Sequence, residues 1–333
     1  MPYCVPVTAE VRAQYQPTLM AVPNVSEGRD ASILQAISRE LTAGGEVRLL
    51  DVHSDRDHHR SVFTLAGQPA GLSDALVRGA AEAVSRIDVM SGAAEPRGEH
   101  PHVGALDVAP VVYLDEPSRG AACAEALVLA DRVGHELSVP VFLYGELAGA
   151  DREHGHTVRR TGSRTAGSRT AGSASTRADL RRGGVVGLAQ RIAAGELRPD
   201  FGPSRLHPSA GATLVAARPP LVAFNLQLAP PATVVDARRI AALIREGGVE
   251  GLPGLRAIGV QLGGGVGQVS MNVERPLDVP LAAVVAAVSR HTEVASGELV
   301  GLAPAVAFEG FPEYVPMPGF DPTKHLIEHA LGL

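Results

Sequence analysis

Hydrophobic residues in the first half of the chain change repeatedly between helical and strand-like spacing. After Asp30, Ile33, Ile37 and Leu41 recur at helical spacing until two glycines end the pattern. The predicted elements are, in order, a strand (21–25), a helix from Asp30, two strands (47–52 and 61–66), a helix (Leu72, Leu76, Ala80, Ala83 and Ile87 on one face), a strand (108–114), a helix capped by Ser118 (Leu127, Ala130, Val133 and Leu137) and a strand (141–144).

A second set of elements follows Pro219-Pro220. These elements are a strand (221–228), a helix capped by Thr233 (Ile240, Leu243 and Ile244), two strands (255–260 and 267–273), a helix (Leu281, Val284, Val285 and Val288) and a strand (298–302). Both halves contain the order strand, helix, strand, strand, helix, strand, so we expect an α+β fold of two ferredoxin-like βαββαβ sandwiches. Glycines 263–265 precede a strand pattern and lack the lysine of a phosphate-binding loop, which predicts a hairpin.

Composition excludes several classes of function. The chain has 333 residues, enough for two modest domains, and its net charge of −6 argues against general binding to nucleic acid or anionic membranes. Aromatic residues make up 4% and Trp is absent, which leaves few stacking platforms for single-stranded nucleic acid. Cys4 and Cys123 are the two cysteines, so a disulfide framework and a cysteine-based zinc site are excluded. No apolar stretch reaches membrane-spanning length and no secretory segment is present, so we expect a cytoplasmic protein.

The most informative segment places two histidines beside a proline just before a strand. Pro101 has no backbone N–H and pushes His100 out of helical geometry, so we expect His100 at a bend. A histidine held there can act as a general base near neutral pH. A solvated surface histidine is the alternative interpretation.

This segment, Gly98-Glu99-His100-Pro101-His102-Val103-Gly104-Ala105-Leu106-Asp107-Val108, resembles the formiminotransferase domain family in its stand-alone bacterial type. Four further blocks occur in the family's order, at 22–29, at 49–52 leading to 60–64, at 140–146, and at 199–204 running on to 207–213. The resemblance covers residues 21–304, and five ordered blocks make chance agreement improbable.

The resemblance implies both an architecture and an activity. It implies subdomains at 21–218 and 219–305 facing each other across a substrate cleft, with an N-terminal extension at 1–20 and a tail at 306–333. Translation starting at Met20 is an alternative to that extension. The implied activity is transfer of the formimino group from N-formimino-L-glutamate to N5 of tetrahydrofolate, a co-substrate, in histidine breakdown, without a metal. Homodimerisation is implied by analogy. Because bifunctional relatives carry the cyclodeaminase domain after this region, we expect that activity to be absent.

Residue roles follow from the same resemblance. His100 matches the catalytic histidine of the family. The loop implied to bind folate comprises Gly202, Pro203, Ser204, Arg205, Leu206, His207, Pro208, Ser209, Ala210 and Gly211. Ala210 stands where a tryptophan can occur, so aromatic packing against folate should be weaker. A rigid crossover without a ligand role is the alternative for this loop.

Arg60 matches the family's arginine and is the best candidate for pairing with a substrate carboxylate through a bidentate fork. His53, His59 and Asp107 complete the predicted substrate-binding set, and Arg56 and Arg205 are weaker candidates.

Three alternatives to formimino transfer stay open. The first is a formyltransferase using N-formylglutamate, because both donors are N-substituted glutamates. The second is a zinc or manganese hydrolase of amides or amidines, since five of the twelve histidines fall in two blocks near Asp55 and Asp57. The third is a folate-binding module without catalysis.

Two segments depart from the family. Residues 159–177 contain the pentamer Ser-Arg-Thr-Ala-Gly twice and no acidic residue, which predicts a disordered insert at 154–178. A basic tether for the polyglutamate tail of folate is the alternative interpretation. The tail carries Pro312, Pro316 and Pro318 before a predicted short helix at 323–331.

Overall fold

The structure is a computed structural model, and it describes residues 17–91, 98, 101–148 and 176–333. Two β-sheets organise this part of the chain. The first sheet and its helices comprise β1 (Leu19–Ala21), β2 (Asn24–Val25), α1 (Ala31–Thr42), β3 (Val47–Asp55), β4 (Arg60–Gly67), α2 (Gly71–Arg86), β5 (Leu106–Val112), α3 (Arg119–Glu136), β6 (Val141–Gly145), α4 (Arg177–Leu180), α5 (Gly184–Ala193) and β7 (Thr213–Arg218). The second comprises β8 (Val222–Leu228), α6 (Val234–Ile244), β9 (Leu255–Gln261), β10 (Gly267–Val273), α7 (Leu281–Ser289) and β11 (Val294–Val300). Two short helices, α8 (Pro322–His325) and α9 (Ile327–Leu331), follow.

Strand order confirms the mixed α+β prediction. The second sheet runs β11-β8-β10-β9, with each neighbouring pair antiparallel, which is the 4-1-3-2 order of a βαββαβ unit. In the first sheet β1 and β2 both lie between β4 and β5, and β3 pairs with β4. Its first five strands therefore repeat the same order, with β1 and β2 together filling one position.

The first sheet continues beyond this unit. β7 pairs in parallel with β5 on one side and with β6 on the other. The hydrophobic pattern does not predict β7, because residues 213–217 are all buried and show no alternation. Central parallel strands covered on both faces have this continuous apolar character.

Complete local signals produced the helices that were predicted well. Asp30 caps α1 by accepting from the backbone N–H groups of Ser32 and Ile33. Thr233 and Asp236 form a capping box at the start of α6. In both helices the buried face matches the apolar spacing, as expected when packing and propensity agree.

Three predictions about elements are wrong in detail. The Ser118 hydroxyl does not cap α3; it donates to Asp115, whose carboxylate also accepts the Ser118 backbone N–H. Leu127 is 36% exposed, because the buried face of α3 is built on alanines together with Leu129 and Val133. The last strand runs from Val294 to Val300 rather than over 298–302.

The second sheet has one face covered by helices and one face without them. In β8 and β10 the residues Phe224, Leu226, Val269 and Val273 pack under α6 and α7, while the intervening residues point the other way. In the first sheet Phe63 and Leu65 of β4 pack toward the helices on one face. On the opposite face, Leu180 of α4 and Leu188 of α5 cover β6 and β7. The helix-free face of the second sheet and the facing side of β4 and β5 in the first sheet border one cleft.

The C-terminal helices close one end of this arrangement. Ile327 packs with Met20, Ala66, Val112 and Leu302, and the side chain of Arg48 donates to the carbonyl oxygen of Ala330 at 3.2 Å. Across residues 17–91, 98, 101–148 and 176–333, none of the helices is both long enough and apolar enough to cross a bilayer.

Candidate active site

The cleft between the sheets is lined by alternate residues of its bordering strands. The first sheet supplies positions 60, 62 and 64 of β4 and positions 108, 110 and 112 of β5, whereas the second supplies Ala223, Asn225, Ser270 and Asn272. Side chains at every second position of a strand share one face, so the period of the strands selects the lining. Four arginines also reach this cleft: Arg60, Arg177, Arg181 and Arg218.

Asp107 is the buried carboxylate that organises two of these arginines. Its exposed fraction is 1%, and one of its oxygens contacts both Arg181 and Nη1 of Arg60, the latter at 3.4 Å. Its other oxygen accepts the backbone N–H of Val103 at 2.8 Å. Burial alone would raise the pKa of Asp107, but the charges of Arg181 and Arg60 outweigh it and lower that pKa. Asp107 is therefore ionised and shared between two guanidinium groups.

Arg60, the predicted carboxylate ligand, lies in the cleft but is already held by protein groups. Its Nε donates to Oδ1 of Asn24 at 2.8 Å, and its Nη2 contacts the same oxygen. Burial and then the charge of Arg181 lower the pKa of Arg60 to about 9. Its fork is thus oriented by Asn24 and Asp107, as a rigid part of the wall.

Arg177, Arg181, Arg218, Tyr144 and Thr64 were not predicted as site residues. Arg177 is the first residue of α4, which begins within the predicted insert, and Arg181 directly follows this helix. Arg218 is the last residue of β7, which was not predicted. Burial lowers the pKa of Arg218 to about 10, and the charge of Arg177 also lowers it. No local pattern in the sequence identifies these three arginines, because the elements that carry them were not predicted.

His53 pairs across the two sheets. Its Nε2 lies 3.4 Å from Oε1 of Glu298 on β11, and the other oxygen of Glu298 accepts from Asn225 at 2.9 Å. Burial by itself lowers the pKa of His53. The hydrogen bond and charge of Glu298, together with the charges of Asp51 and Asp55, outweigh burial, so the pKa of His53 is raised overall. The predicted substrate residue His53 therefore joins the two walls of the cleft.

His59 has a structural environment at the turn before β4. Its φ is +49°, its Nδ1 accepts the backbone N–H of Gly28 at 3.2 Å, and Glu27 lies 3.5 Å away. A Cβ at Gly28 would lie 2.1 Å from the carbonyl oxygen of Asp55, so only glycine allows this close approach. The turn is thereby fixed against the 22–29 block.

The same turn also contacts the second sheet. His58 is buried, and its Nε2 lies 2.9 Å from Oε1 of Gln268 on β10. Asp57 accepts the backbone N–H of Gly263 at 3.1 Å, in the predicted hairpin between β9 and β10. Together with His53 and Glu298, these contacts bridge the two sheets.

His100, the predicted catalytic residue, lies outside the described residues, as does Glu99. Described residues on either side of His100 contact the site: Gly98 lies against His58, and Val103 bonds to Asp107. A Cβ at Gly98 would lie 2.3 Å from the carbonyl oxygen of His58, and Pro101 is exposed. Val103 then donates to Asp107, which connects this segment to the arginine cluster.

The predicted folate loop packs against the end of the same segment. Gly211 forms an isolated β-bridge with Gly104, and the backbone N–H of Ala105 donates to the carbonyl oxygen of Ala210 at 2.9 Å. Within the loop, Nδ1 of His207 accepts from the backbone N–H of Ala210 at 3.0 Å, and burial lowers the pKa of His207.

The loop has one exposed stretch and one buried end. Gly202, Ser204, Arg205 and Pro208 are exposed, whereas Ala210 and Gly211 are buried. Among the described residues that line the cleft, none belongs to 202–211. The structure thus brings Arg60 and His53 to the cleft, puts Asp107 in contact with Arg60 and Arg181, and places the loop beside Gly104 and Ala105.

A metal centre was one alternative for this region. Within the part of the chain that the structure describes, no group of three or more His, Cys, Asp or Glu side chains has an arrangement suited to a metal ion. His53 and His58 instead pair with Glu298 and Gln268.

Comparisons with known proteins agree with the geometry. A profile of the formiminotransferase domain, N-terminal subdomain, matches residues 18–218. The chain is similar to a glutamate formimidoyltransferase of Streptococcus pyogenes serotype M1, with 31% identity over 319 residues that cover 93% of this chain and 98% of that protein. It is similar to a glutamate formimidoyltransferase of Thermoplasma acidophilum, with 33% identity over 225 residues that cover 67% of this chain and 66% of that protein. It is also similar to the formimidoyltransferase-cyclodeaminase of Mus musculus, with 36% identity over 231 residues covering 68% of this chain and 37% of that protein.

Proposed function

Because this chain belongs to the formiminotransferase family, we propose that it is a glutamate formimidoyltransferase. It moves the formimino group of N-formimino-L-glutamate to N5 of tetrahydrofolate, in the breakdown of histidine. The observation that carries the proposal is the arginine-lined cleft between two ferredoxin-like sheets, with Asp107 linking its arginines to the backbone of Val103. A positively charged cleft of this kind suits substrates that carry carboxylates.

His100 acts as the general base and then as the general acid. N5 of tetrahydrofolate attacks the amidine carbon of the donor, and the N5 proton passes to the imidazole of His100. The bond from that carbon to the glutamate nitrogen then breaks, and the imidazolium returns its proton to the departing amine. An imidazole with a pKa of about 6.5 can carry out both transfers near neutral pH.

The other site residues bind and orient the substrates. The loop from Gly202 to Gly211 binds folate, and its β-bridge to Gly104 places it beside the catalytic segment. Holding the two reactants in register can contribute several kcal/mol to lowering the barrier. Asp107 positions the segment that follows His102. The subdomain boundary lies at 218/219, between the two sheets, and the enzyme is a cytoplasmic homodimer.

Replacing His100 with Gln should lower kcat by about 10²- to 10⁴-fold, because the proton acceptor and donor is lost. Tetrahydrofolate binding, measured by fluorescence or calorimetry, should be retained. The matched control is His102→Gln, two positions along the same segment, which should keep turnover near the wild-type value. Equal turnover in His100→Gln and wild-type protein would contradict the proposal.

The same assay separates the alternative activities. Formiminoglutamate and formylglutamate are compared side by side with tetrahydrofolate, and we expect formiminoglutamate to be the better donor. Activity retained after treatment with a chelator excludes the metal-dependent hydrolase. Folate binding without transfer from either donor would indicate a non-catalytic module.

A further inference from the structure

Among the residues that the structure describes, the arginines of the cleft outnumber the carboxylates that pair with them. Arg60 and Arg181 share Asp107, whereas no carboxylate oxygen of a described residue lies within 4.0 Å of Arg177 or Arg218. The charge of Arg177 lowers the pKa of Arg60, Arg181 and Arg218, so the four guanidinium groups feel one another. Among the described residues the cleft therefore carries excess positive charge, which is costly unless an anion offsets it.

Several buried donors in or next to the cleft also lack partners among the described residues. Nε of Arg181, Nε of Arg218, the hydroxyl of Tyr144 and the hydroxyl of Thr64 are buried without a hydrogen-bond partner among the described residues. Arg181 is 5% exposed, Tyr144 6% and Thr64 1%. Native proteins satisfy nearly all buried polar groups, and unsatisfied groups that converge on a cleft indicate a ligand.

We propose that Arg181 and Arg218 bind the carboxylates of a glutamyl group in this cleft. The inference rests on the proposed function, since both substrates of that reaction, formiminoglutamate and tetrahydrofolate, carry a glutamyl dicarboxylate. Two guanidinium groups with free Nε–H donors match two carboxylates, and Tyr144 can donate a further hydrogen bond.

The structure distinguishes these two arginines from Arg60. Arg60 gives its Nε and both terminal nitrogens to Asn24 and Asp107. Arg181 contacts Asp107 through one terminal nitrogen, which anchors its fork, and leaves Nε available. Arg218 donates from Nη1 to the carbonyl oxygen of Pro219 at 2.9 Å, and its guanidinium group lies near the hydroxyl of Tyr144, which favours its charged form. Arg60 therefore positions Asp107, and the carboxylate-binding task falls to Arg181 and Arg218.

The experiment measures the binding of L-glutamate, the product of the donor, by calorimetry with the full chain. Arg218→Gln removes one guanidinium group without disturbing Asp107, and its Kd for L-glutamate should rise about 10- to 100-fold. Arg218→Lys, which keeps the charge but loses the fork, should fall between Arg218→Gln and wild type. The matched control is Arg182→Gln, whose exposed side chain neighbours Arg181 in sequence and should bind L-glutamate like the wild type.

Tetrahydrofolate and tetrahydropteroate, which lacks the glutamyl tail, identify the source of the bound group. Weaker binding of L-glutamate to Arg218→Gln assigns the site to the donor. Normal binding of L-glutamate with loss of the preference for tetrahydrofolate over tetrahydropteroate assigns it to the folate tail, and both results support the proposal. Wild-type affinity of Arg218→Gln for L-glutamate and tetrahydrofolate alike would overturn it.

Binding is independent of turnover, so the two proposals can fail separately. A wild-type protein that binds L-glutamate but transfers no formimino group would contradict the proposed function and leave the carboxylate site standing. Arg181→Gln gives a second test. Because this substitution also removes one of the two positive charges that pair with Asp107, a thermal unfolding curve should first show that the variant is folded.

Discussion

At the scale of single residues, Asp107 has the largest effect on the site. One buried carboxylate meets two guanidinium groups and a backbone N–H, so each of its oxygens is used. Without it, Arg60 and Arg181 would be two buried cations with no counter-charge. Breaking a buried ion pair from one side is far more costly than replacing the whole pair with apolar residues.

Asp107→Asn should therefore lower the free energy of unfolding by about 3–5 kcal/mol, measured in urea. Asp131→Asn, at an exposed position of α3, is the control and should change it by less than about 1 kcal/mol. The folded-state pKa of Asp107 lies below its usual value, so its contribution is present above the unfolded-state pKa of about 3.9. That contribution is lost as the pH falls through the lowered pKa, and the variant should lack this part of the acid dependence. A variant as stable as wild type would show that the ion pairs contribute nothing.

At the scale of elements, α2 shows how a helix can begin without a local cap. Its N-cap residue is Ala70, with φ +69° and no side chain that can accept a hydrogen bond. Glu125 of α3 replaces the cap: its carboxylate accepts the backbone N–H of Ala70 at 2.9 Å and that of Ser73 at 2.6 Å. A buried carboxylate at a helix N-terminus also interacts favourably with the helix dipole.

Glu125→Ala should lower the free energy of unfolding by about 1–3 kcal/mol, because two buried backbone donors lose their acceptor. Chemical denaturation measures the loss, and hydrogen exchange should show it at the first turn of α2. Glu136→Ala is the matched variant, because Glu136 lies on α3 like Glu125 but is exposed. The surface ion pair of Glu136 with Arg132 should contribute little to stability. Equal stabilities of the two variants would count against a capping role for Glu125.

Elements were predictable from sequence where a local signal was complete. Asp30 and Thr233 each precede an apolar helical pattern, and α1 and α6 begin there. β7 escaped prediction because its burial comes from neighbouring parallel strands that are distant in sequence. Glu125 caps a helix from 55 residues away, which no local pattern can reveal.

Some residues of the candidate site could likewise be predicted from the sequence, and others could not. Arg60, Asp107 and His53 stand in family-like blocks or at strand positions, and the structure places all three in or beside the cleft. Arg181 and Arg218 lie after elements that the pattern missed, so their approach to Asp107 and Tyr144 depends on tertiary packing alone.

At the scale of the whole molecule, polar contacts hold the two sheets at a fixed separation. His53 pairs with Glu298 at 3.4 Å, His58 with Gln268 at 2.9 Å, and Asp57 with the backbone of Gly263 at 3.1 Å. The first of these contacts titrates. The pKa of His53 is raised and that of Glu298 is lowered, because each charge favours the other despite partial burial.

The His53–Glu298 pair should stabilise the protein within a limited pH range. The contribution of His53 is fully present below its unfolded-state pKa of about 6.5 and is lost as the pH rises through its raised pKa. At the acid end, the contribution of Glu298 is lost as the pH falls through its lowered pKa. An NMR titration of the His53 ring should give a pKa above 6.5 in the wild type and a lower value in Glu298→Gln. An unchanged His53 titration would mean that the pair does not form in solution.

The two sheets share one strand order, yet their contributions to the cleft differ in charge. Every arginine that lines it belongs to residues 60–218, while the described lining residues of β8 and β10 are uncharged. The ionic end of a substrate should therefore face the wall of the first sheet, and its flat neutral part should face the wall of the second. Duplicated architecture with unequal chemistry thus gives the cleft a polarity, and that polarity decides which end of a substrate arrives against which wall.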